Sequence, residues 1–228
     1  MKGLSLFAFL AISFSVFAQD SRPNDWANHN RYADANTALQ ANPKVVFMGN
    51  SITDFWPSRS PEFWQAHPDF CGRGISGQTS TEMLCRFRAD VLELNPEIIV
   101  ILSGTNDVAQ NQGYIANEYV LDNIQSMIDL ARFHKKKVAV CSVLPSSFLP
   151  WRSNLKPAGT IIELNDMIRK HVAERKDKNV IYVDYHSAMA DETGGLPVEL
   201  SPDNCHPNAA GYKIMEETLM KSIAKWLK

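Results

Sequence analysis

Four short polar segments carry the residue types that acyl-transfer chemistry requires. Gly49-Asn50-Ser51-Ile52-Thr53-Asp54 holds a serine in a glycine turn, and Gly72-Arg73-Gly74-Ile75-Ser76-Gly77-Gln78-Thr79 is rich in glycine. Ser103-Gly104-Thr105-Asn106-Asp107 offers a side-chain amide, and Ser201-Pro202-Asp203-Asn204-Cys205-His206-Pro207-Asn208 sets an aspartate three residues before a histidine. A serine hydroxyl attacks a carbonyl only when a base takes its proton, and the tetrahedral intermediate needs hydrogen-bond donors around its oxyanion. Ser51 with His206 meets the first need, and Asp203 lies close enough in sequence to orient the imidazole. Glycine turns leading into helix N-termini meet the second, because their N–H groups converge on negative charge. Each piece has an ordinary reading. A Gly-Asn-Ser turn is a common loop, Asp203 suits a helix cap, Asn106 suits an Asx turn and Gly74 suits a tight backbone. Their joint occurrence in this order carries the inference.

Positioning these segments falls to an alternation of short apolar runs and longer amphipathic ones. Lys44–Met48, Ile98–Leu102, Val138–Leu144 and Val180–Val183 read as strands buried on both faces, with a weaker candidate around Asp69–Cys71. Between them, Thr79–Leu94, Ile115–His134, Ile161–Ala173 and Asn208–Leu227 space their apolar residues as helices do, and Asp25–Leu39 is expected to form one more helix outside the sheet. Strand–helix alternation predicts an α/β fold of three layers, α/β/α, around a five-stranded parallel sheet in flavodoxin-like order. Chemistry in such folds sits beyond the carboxyl ends of the strands, where three of the four segments fall.

Lys2 followed by the apolar run Leu4–Phe17 and the small residues Val16 and Ala18 reads as a cleavable secretory leader, residues 1–18. Residues 19–228 are then expected to form a single domain in a secreted or periplasmic protein without stable membrane association. The formal net charge of −2 gives no electrostatic case for nucleic acid. No Cys/His spacing suggests zinc, and neither a metal nor another cofactor is expected. Cys71, Cys85, Cys141 and Cys205 allow three disulfide connectivities in an exported chain, which sequence leaves open. Cys141 ends an apolar run and reads as a small buried residue, whereas a bridge at Cys205 would clamp the loop carrying His206.

The four segments together resemble the sequence blocks of the SGNH hydrolases, the family also called GDSL-like lipase/acylhydrolases, over the chain from about Val45 to its last helix. The resemblance implies Ser51 as nucleophile, His206 as base and Asp203 as the acid orienting it. It also implies an oxyanion hole made by the Ser51 and Gly74 N–H groups and the Asn106 amide. One departure is that Asn50 stands where the family's first block usually has Asp. This removes a negative charge beside Ser51 and is expected to alter rate or pH dependence. Among the other histidines only His186, at the end of the fifth strand, competes for the role of base, and it lacks a neighbour placed like Asp203.

The acetylhydrolase and carbohydrate-esterase branches of the family, taken with export, favour a small-molecule or glycan ester, with acetate the expected acyl group. Asp54 and Trp56 just behind Ser51, and Trp151 in the loop Pro145–Trp151, are candidate substrate-binding residues, the two indoles as pocket walls. The alternative for the indoles is that they only anchor their segments. Arylesterase, thioesterase and lysophospholipase-like activities remain alternatives, as does an inactive carbohydrate-binding homologue.

Overall fold

The computed structural model describes residues 25–228. The leader expected over residues 1–18 lies outside the described residues. The sheet consists of β1 (Val45–Gly49), β2 (Phe70–Gly74), β3 (Ile98–Leu102), β4 (Lys137–Cys141) and β5 (Val180–Val183). All pairs are parallel and the spatial order is β2-β1-β3-β4-β5, the flavodoxin-like order expected.

Side chains of a strand alternate between faces, so each apolar run feeds two cores. Val46, Met48, Ile99, Ile101, Val138 and Val140 point to one face. Covering it are α4 (Ser80–Phe87), α6 (Asn117–Phe133) and α7 (Pro157–Glu174), through Met83, Ile124, Met127, Leu164 and Ile168. Val45, Phe47, Ile98, Val100 and Ala139 point to the other face. There they meet α2 (Ser51–Arg59) and α9 (Ala209–Ile223), through Ile52, Trp56, Tyr212, Met215 and Leu219. Each such side chain contributes about 1.5–3 kcal/mol when fully buried, which explains why the strands read as continuous apolar runs.

Three elements differ from expectation. The fourth strand ends at Cys141 rather than Leu144. The Asn165 carboxamide of α7 takes over there, accepting from Val143 N at 2.8 Å and donating to Val143 O at 2.9 Å. The helix expected over Asp25–Leu39 is reduced to a 3-10 turn at His29–Tyr32 and the short α1 (Ala33–Thr37). Asn28 is left-handed at φ 53°, and the Asp25 carboxylate captures the N–H groups of His29 and Asn30. The helix expected over Thr79–Leu94 opens after Phe87 into a π-helical turn, Arg88–Leu92, beside a fully buried Arg86–Asp90 pair. Four short helices were not anticipated: α2, α3 (Pro61–Ala66), α5 (Thr105–Val108) and α8 (Tyr185–Met189).

Candidate active site

The turn after β1 explains how Ser51 is presented. A Cβ on Gly49 would lie 2.0 Å from Thr53 Oγ1, so only glycine lets the chain double back from strand to helix here. Asn50, fully buried, accepts the Ile52 N–H at 3.0 Å and so caps α2, whose first residue is Ser51. Asn thereby supplies the capping acceptor that an Asp at this position would also supply. From the far end of the chain, α9 is strapped to the same helix: Tyr212 OH donates to Ile52 O at 2.7 Å, and Arg59 donates to Pro207 O at 2.8 Å. Residues separated by 155 positions thus meet. Ser51 Oγ lies 2.9 Å from His206 Nε2.

Behind the imidazole, Asp203 Oδ2 lies 2.7 Å from His206 Nδ1. Its other oxygen accepts from His206 N at 2.7 Å, Cys205 N at 3.1 Å and Ser201 Oγ at 3.1 Å. Burial raises the carboxyl pKa, but the hydrogen bonds and charge of His206, together with the Cys205 N–H, outweigh it and hold Asp203 below the ordinary carboxylate range. Asn204 keeps this loop in place. Left-handed at φ 62°, it accepts from Ser147 N at 2.7 Å and Phe148 N at 3.0 Å and donates to Leu196 O at 2.8 Å. Among the described residues the rival His186 has no carboxylate on its ring: its main-chain N–H donates to Ser142 Oγ at 2.8 Å, its buried imidazole Nε2 has no hydrogen-bond partner, and burial depresses its imidazole pKa.

Asn106 sits in the first turn of α5 and is almost fully buried. It gives one amide hydrogen to Gln78 O at 2.9 Å, which leaves a second in its NH₂ group. Asp107, next to it, accepts the Ser80 N–H at 2.9 Å and the Ser80 hydroxyl at 2.6 Å, placing a carboxylate at the N-terminus of α4. Burial lifts its pKa against these bonds. The second and third polar segments are therefore bolted together.

Gly74 does not take the position expected of an oxyanion donor. It pairs with Gly49, whose carbonyl accepts the Ile75 N–H at 3.1 Å. Peptide groups alternate sides along a strand, so Gly74 turns its own N–H and C=O to the open edge of the sheet. Its carbonyl there accepts the Tyr32 hydroxyl. A Cβ on Gly74 would fall 2.2 Å from the Asp54 nitrogen, so this glycine allows β2 to press against α2. The exposed glycine of the segment is Gly77, at φ 83° with nothing within 4 Å of where a Cβ would stand. Its N–H has no protein partner among the described residues. Sequence alone could not separate the two, because the distinction depends on the strand ending at Gly74.

Trp56 also needs correcting as a substrate-binding residue. It is 1% exposed, stacks on Phe63 and donates its indole N–H to Glu216 at 3.0 Å, deep in the core. The aromatic residue on the site side of that helix is Phe55, one turn after Ser51, with its ring centroid 5.5 Å from that of His206. The i, i+4 spacing from the serine was the signal that could have found it. Trp151 is 40% exposed and its ring centroid lies 6.0 Å from that of His206. Asp54 accepts the Ser76 hydroxyl at 2.7 Å and its N–H at 3.2 Å, and so braces the loop of Gly77. None of the four cysteines is paired; Cys205 is buried against Ala109 and Leu149, its thiol pushed up to about 12 by burial. Packing rather than a bridge holds the His206 loop at that point.

A serine–imidazole–carboxylate chain at the carboxyl edge of a flavodoxin-like sheet is an arrangement of ester hydrolases, and this protein is a carboxylic ester hydrolase. Residues 47–214 match the model of the GDSL-like Lipase/Acylhydrolase family, to which the chain belongs. It is similar to a GDSL-like lipase of known structure from Bacteroides thetaiotaomicron VPI-5482, at 42% identity and TM-score 0.81, over 87% of this chain and 98% of that one. A protein assigned as an acylhydrolase from Bacteroides fragilis NCTC 9343 matches at 37% identity and TM-score 0.84, over 90% of this chain and all of its own. An acetylxylan esterase from Geobacillus stearothermophilus is 24% identical over 213 residues, covering 81% of this chain and 96% of the relative.

Proposed function

We propose that this protein hydrolyses short-chain esters, acetyl esters of sugars or glycans foremost, with Ser51 as nucleophile, His206 as base and Asp203 as the carboxylate that orients it. The observation carrying this reading is the unbroken path Ser51 Oγ–His206 Nε2, 2.9 Å, and His206 Nδ1–Asp203 Oδ2, 2.7 Å. In the reaction, Ser51 Oγ attacks the ester carbonyl while its proton passes to Nε2. Asp203 keeps the proton on Nδ1 and stabilises the imidazolium. The oxyanion accepts from the Ser51 N–H at the start of α2, from the second hydrogen of the Asn106 amide and, in place of Gly74, from the Gly77 N–H. Loss of one such donor costs about 2.7–4 kcal/mol of barrier. His206 then gives its proton to the departing alcohol. Water, deprotonated by the same imidazole, attacks the acyl group and returns Ser51 to its free form.

Support for a ring-shaped alcohol comes from two aromatic side chains. Phe55 and Trp151 both lie close to His206, the group that gives the leaving alcohol its proton, and aromatic faces suit sugar rings. The acetylxylan esterase relative points the same way. The apolar leader of residues 4–17 supports export and a periplasmic or extracellular place of action for one catalytic domain.

The test is hydrolysis of p-nitrophenyl acetate by the parent and by Ser51→Ala, both checked for folding by circular dichroism. Activity should collapse in the variant; equal activity in both would remove Ser51 from the reaction. A series of acetyl, butyryl and octanoyl esters then tests the acyl group, and preference for octanoyl would overturn the acetyl assignment.

A further inference from the structure

Three segments that carry site residues meet on one residue. Asn111, just beyond α5, donates its amide hydrogen to Gly77 O at 3.2 Å and accepts the Trp151 indole N–H at 3.0 Å. Its backbone N–H donates to Asn106 O at 3.0 Å. Both side-chain partners are one-directional, since an indole N–H only donates and a carbonyl only accepts, so the side chain between them must both donate and accept, as a carboxamide does. The chain neighbours of Gly77 are held by Asp54, through Ser76, and by Asn106, through Gln78 O, whereas among the described residues Asn111 is the side chain that bonds Gly77 itself. Trp151 rides on a single 3-10 turn, Pro150–Arg152, laid against the same stretch by Arg152, which donates to Ala109 O at 2.9 Å.

We infer that Asn111 is a positioning residue that ties the aromatic wall, Trp151, to the Gly77 carbonyl, in the peptide unit that follows the Gly77 N–H of the oxyanion hole. This deepens the esterase reading above and rests on it. A leaving alcohol that packs on Trp151 steadies, through Asn111, the donor that receives the oxyanion. Contact with the alcohol is thereby expressed in kcat as well as in KM.

Two variants isolate the link without removing either wall or glycine. Asn111→Asp keeps the acceptor for the indole but faces Gly77 O with a carboxylate oxygen. Trp151→Phe keeps an aromatic ring but loses the N–H. Methyl acetate is the diagnostic substrate, because its alcohol is too small to gain from Trp151 directly. Complete loss of an oxyanion donor lowers kcat by about 10²–10³. A misaligned donor should therefore lower kcat for methyl acetate roughly tenfold in each variant, with KM within about twofold of the parent. Because both break one link, the double variant should fall roughly tenfold also, not the roughly hundredfold expected of independent sites. Multiplying effects, or a kcat within about twofold of the parent in Trp151→Phe, would overturn the inference. That variant changes an exposed side chain and carries the test if Asn111→Asp melts early. Ser51→Ala, run alongside, separates this outcome from failure of the esterase reading, because only the latter leaves Ser51→Ala active.

Discussion

Replacing Asp203 by Asn should abolish turnover through the tautomer of His206 rather than through loss of the loop. Asp203 Oδ1 accepts two backbone N–H groups, His206 at 2.7 Å and Cys205 at 3.1 Å, and the Ser201 hydroxyl at 3.1 Å. An asparagine must keep its carbonyl oxygen there, because turning the amide would set NH₂ against two backbone donors. Its NH₂ then faces His206 Nδ1 at the 2.7 Å now occupied by a carboxylate oxygen. The imidazole answers by carrying its proton on Nε2, where it can donate to Ser51 but cannot accept from it. In serine proteases the corresponding change lowers kcat about 10⁴-fold, which is about 5.4 kcal/mol at 1.36 kcal/mol per decade. The assay is p-nitrophenyl acetate hydrolysis at neutral pH, paired with thermal unfolding. The stability difference from the parent should be largest above about pH 4 and shrink in acid. Asp203 titrates below its ordinary value in the folded protein, so its contribution is present above the unfolded pKa of about 3.9 and is lost as pH falls through the folded value. The Asn variant lacks that acid-labile part. A kcat within tenfold of the parent would mean that His206 takes the serine proton whatever its tautomer, and the proposed role of Asp203 would be abandoned.

The glycines and tryptophans give two further contrasts. Gly74→Ala should lower Tm sharply, because the new methyl would sit 2.2 Å from the Asp54 nitrogen and 2.7 Å from Asn50 O, both main-chain atoms. Gly77→Ala should fold with a penalty of about 1–2 kcal/mol for its left-handed φ of 83° and lose kcat. An active, stable Gly74→Ala would refute the placement of Gly74 against α2. Trp56→Ala should cost about 3–5 kcal/mol of stability as a buried aromatic truncation, read by denaturant unfolding. Trp151→Ala should leave unfolding nearly unchanged and raise KM for aryl or sugar acetates; the reverse pattern would restore Trp56 as the wall.

The sheet was legible because burial on both faces leaves a run no choice but to be apolar. Ile98–Leu102 and Val180–Val183 fall where the sequence puts them. That Ser51, Asp203 and His206 meet was legible for a different reason: the chemistry proposed for them restricts residue type, and Asp-x-x-His sets a separation that one turn of loop can span. What stayed hidden depends on side-chain direction or on polar partners distant in sequence. Trp56 and Phe55 are adjacent, yet α2 turns one into the core and the other toward His206. Burial of the start of that helix fixes which is which, and no pattern in a nine-residue helix with Pro57 inside it announces the phase. Likewise the end of β4 is set by Asn165, a residue of the following helix that supplies both hydrogen bonds a strand neighbour would have made. The Gly74 and Gly77 assignments turn on the same physics. A glycine inside a strand is there for the approach of another backbone, and a glycine one turn later is there for φ. Only the last ladder bond, Ile75 N–H to Gly49 O, tells them apart. Residues proposed to carry out chemistry were therefore visible by their type, whereas residues that aim them were visible only by their partners.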